Sequence, residues 1–153
     1  ADFASGHLGS NLERIVRTSK VPVFVASREF RQISKVLIAY DGSASAKVAI
    51  ERMSTSPVFS DLDICVLCVA QDNVHAQKVA DEAVTKLHTS NITASSRIAT
   101  GEPEDALNKL VSEEGFDLLV MGAYGHSRIR NLIIGSTTTA MIQSVKIPVL
   151  LYR

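Results

Sequence analysis

Apolar, strand-length segments alternate with helical patterns along most of this chain, and that alternation restricts its fold more than any other feature. Between consecutive strands lie stretches whose apolar residues recur with the spacing of an amphipathic helix. The predicted strands are residues 36–40, 64–69, 93–98, 118–121 and 148–151. Strands joined by helical crossovers form a parallel sheet with helices on both faces. The sequence therefore predicts an α/β fold with a doubly wound, five-stranded parallel sheet.

The helical segments carry recognisable start and stop signals. Ser43 is a suitable N-cap for a helix whose apolar stripe consists of Ala46, Ala49, Ile50 and Met53. Further helices are predicted over residues 73–88, from Pro103 to a stop at Gly115, and over residues 136–145.

Composition limits the classes of function. A chain of 153 residues with 46% hydrophobic residues can form one domain with its own core. Its 16 acidic and 16 basic residues cancel, which argues against a nucleic-acid-binding protein. No apolar run approaches the roughly 20 residues of a membrane helix, and the first ten residues lack the apolar core of a signal peptide. We expect a cytoplasmic protein that binds neither nucleic acid nor a membrane.

The two cysteines, Cys65 and Cys68, have the spacing of a redox pair or of half a zinc site. They lie in a predicted buried strand, where residues three apart point to opposite faces. No cluster of cysteine and histidine elsewhere in the sequence would complete a metal site. We therefore interpret both as core residues.

A glycine-rich segment follows the fourth predicted strand. That strand ends near Gly122, Gly125 follows, and Gly135 precedes a run of hydroxyl residues that opens the last helix. Glycine N–H groups, hydroxyls and the positive end of a helix dipole together suit a phosphate or another anion. Glycines here can also simply form turns, and Ser136 is an ordinary N-cap. Neither G-x-x-x-x-G-K-[ST] nor G-x-G-x-x-G occurs in the chain.

The spacing Gly122-x2-Gly125-x9-Gly135-Ser136 resembles the nucleotide-binding pattern G-2x-G-9x-G-[ST] of the universal stress protein family. The segment KVLIAYDGS resembles that family's first strand with its terminal aspartate, and the C-terminal IPVLLYR resembles its last strand. The resemblance covers residues 35–153. It implies a Rossmann-like sheet of order 3-2-1-4-5, with ATP, ADP or AMP as the ligand. The ligand would lie at the switch point between the first and fourth strands.

Several residues at that switch point have candidate roles. The carboxylate of Asp41 could accept hydrogen bonds from ribose hydroxyls or an adenine amino group, or it could cap the following helix. Val69 matches the position where the family's backbone meets adenine, and core packing is compatible with that role. Gly122 and Gly125 would let the ligand approach the main chain without a Cβ clash.

The phosphates would lie at the start of the last helix. Gly135, Ser136 and Thr137 would hold them through N–H groups, hydroxyls and the helix dipole. The dipole contributes only about 0.3–1 kcal/mol at exposed sites, so tight binding would need several N–H contacts, with Mg²⁺ as a candidate companion ion. Arg128 or Arg130 could meet a β- or γ-phosphate, although loop arginines are more often solvated.

The sequence supports binding rather than catalysis. His126 has no carboxylate or nucleophile tied to it, so we expect no enzyme and at most slow, incidental ATP hydrolysis. The alternative is the same fold serving as a dimerising interaction module without a nucleotide, against which the three retained glycines argue. The connection over residues 70–72 is shorter than in many family members and would leave the cleft more open.

An internal repeat marks the N-terminus. Residues 9–26 align without gaps to residues 135–152 at an offset of 126, with five identities. We therefore interpret residues 1–26 as the last helix and strand of a preceding domain, residues 27–34 as a linker, and residues 35–153 as a complete domain. The resemblance implies that the strand at residues 21–26 pairs antiparallel with the last strand, within one chain or between two. A homodimer through edge strands is expected.

Overall fold

A single mixed sheet organises the part of the chain that the computed structural model describes, residues 10–123 and 144–153. Its six strands there are β1 (Val23–Val25), β2 (Lys35–Ala39), β3 (Asp63–Val69), β4 (Ala94–Ala99), β5 (Leu118–Gly122) and β6 (Val149–Tyr152). Its helices there are α1 (Ser10–Thr18), α2 (Ala44–Thr55), α3 (Asn73–Thr89) and α4 (Pro103–Glu114), and a 3₁₀ turn spans Pro57–Phe59. The strand order is β1-β6-β5-β2-β3-β4, and only the β1–β6 pair is antiparallel.

The predicted doubly wound sheet is confirmed. Counted from β2, the five parallel strands have the order 3-2-1-4-5. Each of these five strands lies within one residue of its predicted bounds. In β2, β3, β5 and β6 the reason is a short buried apolar run with sharp ends. The helix predicted over residues 136–145 lies outside the described residues except at Ser144 and Val145.

Helices cover the sheet on both faces. The apolar stripe of α2 is fully buried, as its spacing predicted, and it packs with α3 against the side chains of Val36 and Ile38. On the other face, Leu37 packs with Val16 of α1 and Leu107 of α4. Full burial of each such side chain contributes about 1.5–3 kcal/mol to folding, and these two layers hold the strand ends in place.

The two cysteines belong to opposite layers. Cys68 lies in the cluster under α2 and α3, and Cys65 lies in the cluster under α1 and α4. Both are buried free thiols. Their interpretation as core residues is confirmed.

The N-terminal strand pairs within the chain, as an antiparallel neighbour of β6. Phe24 lies opposite Leu150, with Val23 opposite Leu151 and Val25 opposite Val149. The sequence repeat matches Phe24 with Leu150 as well, so a local twofold axis through this pair relates β1 to β6. The predicted antiparallel edge strand is therefore confirmed.

A carboxylate fastens the segment before β2 to the amino end of the sheet. Asp117 Oδ2 accepts hydrogen bonds from the Ser34 N–H at 3.1 Å, the Ser34 hydroxyl at 3.0 Å and the Lys35 N–H at 3.0 Å. Arg31 lies 3.9 Å from the other oxygen. Burial would raise the pKa of Asp117, but these donors and the guanidinium lower it below its usual range. This anchor fixes where β2 begins.

Candidate functional site

The carboxyl ends of β2 and β5 form the switch point of the sheet. These strands are neighbours, with Ala39 opposite Met121, yet the chain leaves β2 towards β3 and leaves β5 towards β6. Asp41 follows the end of β2, and Gly122 is the last residue of β5. The structure therefore brings these two predicted site residues to adjoining strand ends, where open α/β sheets have their ligand crevice.

Asp41 shapes the turn from β2 into α2. Its Oδ1 accepts a hydrogen bond from the Ser43 N–H at 2.9 Å. Gly42 between them has φ +73°, and a Cβ there would lie 3.1 Å from Val79, so the turn requires glycine. The N-cap of α2 is Ser43, whose hydroxyl accepts from the Ala46 N–H at 3.3 Å. Asp41 is thus exposed and is not the cap, which leaves its Oδ2, within the described ranges, available to a ligand.

Gly122 permits a close approach between β5 and α2. A Cβ on this glycine would lie 2.9 Å from the Ala46 amide nitrogen and 3.0 Å from Ser45 Cβ, and closer still to the Ser45 hydroxyl. Ser45 is itself buried at the start of α2. Packing against α2 therefore requires a glycine here, and the predicted clearance for a ligand stays a prediction.

The hydrogen bonds between β2 and β3 stop just before Val69. The Tyr40 N–H donates to the Leu67 carbonyl at 2.9 Å. In a parallel ladder the next bond would run from the Val69 N–H to the Tyr40 carbonyl. Among residues 10–123 and 144–153 that bond is not formed, and the Tyr40 carbonyl instead accepts from the Cys68 thiol at 3.0 Å. The Val69 amide is left on the switch-point side of β3 without a partner in the sheet.

The thiol beside this carbonyl stays protonated. Burial raises the pKa of Cys68 to about 11, and the charge of Asp41 acts in the same direction. Burial also raises the pKa of Tyr40, with smaller contributions from Cys68, Glu82 and Asp41. At neutral pH these groups are therefore hydrogen-bond donors rather than nucleophiles.

Comparison with known proteins identifies the fold family. Residues 69–153, more than half of the chain, match the Universal stress protein family. The chain belongs to the universal stress protein family. Along its whole length it is 39% identical to universal stress protein Slr1230 of Synechocystis sp. strain PCC 6803, of which it covers 54%.

Solved universal stress proteins share the architecture. One from Archaeoglobus fulgidus superposes with a TM-score of 0.72 and 23% identity over 91% of this chain and 52% of that chain. A universal stress protein in complex with cAMP superposes with a TM-score of 0.66 and 25% identity over 79% of this chain and 97% of that chain. The chain thus spans about half the length of the Synechocystis and Archaeoglobus relatives.

Part of the universal stress protein motif lies outside the described residues. Of the predicted site residues, the structure places Asp41, Val69 and Gly122 together at the switch point. The predicted phosphate-binding residues and loop residues fall between positions 123 and 144, and these are Gly125, His126, Arg128, Arg130, Gly135, Ser136 and Thr137.

Tyr40, Ser45 and Cys68 also belong to this site, and sequence reasoning did not assign them to it. Ser45 lies two positions after the predicted cap Ser43, a spacing that could have placed it in the first turn of the same helix. No sequence pattern indicates that the hydrogen bonds between β2 and β3 end at Tyr40. The short connection from β3 to α3 is confirmed, since Asp72 caps α3 directly through the Val74 N–H at 3.0 Å.

Other features of the described residues add no second site. No group of three histidine, cysteine, aspartate or glutamate side chains there is placed to hold a metal ion. An open depression runs along α3 alone and includes neither Asp41 nor Gly122. None of the helices in residues 10–123 and 144–153 is long and apolar enough to cross a membrane.

Proposed function

We propose that this universal stress protein domain is a cytoplasmic regulatory module that binds ATP, or the related ADP or AMP, at the switch point. Nucleotide occupancy alters domain pairing or partner choice, and the domain acts by binding rather than by turnover. The observation that carries the proposal is the convergence of Asp41, the free Val69 amide and the end of β5 at one crevice. From that strand end begins the G-2x-G-9x-G-S pattern.

The described part of the crevice fits an adenine nucleoside. A backbone N–H at Val69 suits a ring nitrogen of the base, and a carboxylate oxygen at Asp41 suits a ribose hydroxyl. The solved relative in complex with cAMP supports an adenine nucleotide as the ligand class. Arg128, Ser136 and Thr137 remain the proposed phosphate contacts, with Mg²⁺ as a candidate companion ion.

Calorimetric titration of the purified chain with ATP and Mg²⁺ tests this proposal. The parent is expected to bind, and Gly135→Val is expected to lose binding because a side chain would occupy the phosphate position. GTP serves as the comparison ligand for base selectivity. A folded parent that binds no adenine nucleotide would refute the nucleotide proposal and favour the interaction module.

A matched control separates lost contacts from lost stability. Gly115 ends α4 with φ +68° near the amino end of β5, whereas the crevice lies at the carboxyl ends of the strands, so Gly115→Ala strains the backbone far from the crevice. This variant is expected to melt earlier yet keep the parent's affinity for ATP. If both glycine variants lose binding equally, the loss reports instability rather than contact with the ligand.

We also infer that residues 1–26 are the end of a preceding domain of the same fold, and that edge strands mediate self-association. The local twofold axis through Phe24 and Leu150 supports this domain arrangement, since it relates β1 and β6, the strands of the two repeat copies, as symmetric neighbours. The intact mass of the protein purified from its natural host tests it. A mass near twice that of this chain is expected, and a mass of 16.5 kDa would contradict it.

A further inference from the structure

At the end of the β2–β3 ladder, a side-chain hydrogen bond takes the place of the next backbone hydrogen bond. The ladder's last backbone bond runs from the Tyr40 N–H to the Leu67 carbonyl. The Tyr40 carbonyl is the acceptor that the Val69 N–H would use next. Cys68 donates its thiol proton to that carbonyl at 3.0 Å, so the residue just before Val69 holds one of the oxygen's two lone pairs.

The thiol is suited to keep this acceptor occupied. Cys68 is 3% exposed, and its pKa of about 11 means that the S–H proton is retained throughout the physiological range. A thiol is a weaker donor than a backbone amide. The bond from Cys68 nevertheless satisfies a carbonyl that burial would otherwise make costly to leave unpaired.

We propose that Cys68 is a positioning residue that holds the Tyr40 carbonyl and thereby keeps the Val69 N–H free to hydrogen-bond the base of the bound nucleotide. The inference rests on the proposed function for the identity of the ligand. The open amide itself is a property of the chain without ligand, and it can be measured in that state.

Amide hydrogen exchange of the ligand-free protein tests the first half. Cys68→Ala and Cys68→Val both remove the donor, and valine also restores the lost volume. In both variants the Val69 N–H is expected to pair with the Tyr40 carbonyl and to exchange about tenfold more slowly than in the parent. Cys68→Ser keeps a donor and is expected to exchange at the parent's rate. Unchanged exchange of Val69 in the alanine and valine variants would overturn the proposal.

Calorimetric titration with ATP tests the second half. Loss of one hydrogen bond to the base is expected to weaken binding about tenfold in Cys68→Ala and Cys68→Val, with recovery in Cys68→Ser. Cys65→Ala removes the same side chain from the opposite face of the same strand and is expected to bind as the parent does. Parent-like affinity in Cys68→Val, or a serine variant as weak as the alanine variant, would overturn the proposal.

The two proposals fail in different ways. A parent that binds no adenine nucleotide overturns the proposed function, whereas the exchange rates of Val69 still decide whether Cys68 holds the ladder open. A parent that binds ATP, together with cysteine variants whose Val69 exchange and affinity match it, overturns the role of Cys68 alone.

Discussion

Gly122 at the end of β5 lies against Ser45 at the start of α2, with 3.0 Å between the serine Cβ and the position a glycine Cβ would take. The contact ties one strand end at the switch point to the helix that follows the neighbouring strand. Asp41 and Ser43 lie in the turn before that helix, where the Ser43 N–H donates to Asp41 Oδ1 and Ser43 caps the helix. The close approach of β5 to α2 beside the crevice therefore requires a residue without a Cβ at position 122.

Gly122→Ala is expected to lower the free energy of unfolding by about 1–3 kcal/mol, because the new methyl group would overlap the first turn of α2. Urea denaturation measures the loss. Ser45→Gly combined with Gly122→Ala is expected to recover part of it, since the serine is one of the two clashing groups. Surface substitutions change the free energy of unfolding by roughly 0.5 kcal/mol or less. A change that small for Gly122→Ala alone would contradict the packing explanation.

Asp41→Asn separates the turn from the ligand contact. The amide oxygen of asparagine can still accept from the Ser43 N–H, so the melting temperature is expected to stay close to the parent's. Affinity for ATP is expected to fall about tenfold, because a charged acceptor for ribose hydroxyls is lost. Thermal melting and calorimetric titration check the two halves, and unchanged affinity would assign Asp41 to the turn alone.

Asp117→Asn is expected to remove a pH-dependent part of the stability. The pKa of Asp117 is lowered in the folded state, so the carboxylate stabilises the fold above the ordinary aspartate pKa of about 3.9. That stabilisation is lost as the pH falls through the folded-state pKa. At pH 7 the variant is expected to be less stable by about 1–3 kcal/mol, and the difference should shrink as the pH falls below the ordinary aspartate pKa of about 3.9.

Urea denaturation across that pH range measures this difference. Asp61→Asn is the control, because Asp61 is an exposed aspartate in the turn before β3. If the difference in the free energy of unfolding between the parent and Asp117→Asn does not change with pH, the charge of the carboxylate does not contribute to stability.

Phe24→Lys is expected to abolish self-association of the chain. Phe24 is 52% exposed on the edge strand β1, and charged residues on edge strands block strand addition. Sedimentation velocity is expected to show a concentration-dependent dimer for the parent and a monomer for the variant. Phe30→Lys is the matched control, because Phe30 is 97% exposed but lies outside any strand. A parent that stays monomeric, or a Phe30 variant that loses association equally, would contradict the role of this edge.

Strands β2, β3, β5 and β6 could be predicted because each is a short apolar run, whereas the strand order was implied by the family resemblance. The cap at Ser43 and the stop at Gly115 could also be predicted, since local hydrogen bonding and backbone conformation decide both. Asp41 also lies at the switch point as predicted; the sequence left open whether it caps α2, and the structure gives that role to Ser43.

The features that the sequence did not reveal depend on distant contacts. Asp117 binds Ser34 and Lys35 more than 80 positions away in sequence, and no local pattern encodes that pairing. The packing reason for Gly122 depends on where α2 lies above the sheet. The bond from the Cys68 thiol to the Tyr40 carbonyl depends on where β2 lies beside β3.

The two edges of the sheet differ in character. β4 presents the exposed polar residues Ser95 and Arg97, whereas β1 presents the half-exposed ring of Phe24. A chain with a single adhesive edge can join one other chain through it, and the resulting pair has no adhesive edge left. Growth into fibres needs two such edges on every subunit. The self-association that we propose through β1 would therefore stop at two copies, because the apolar edge strand of each copy is then covered.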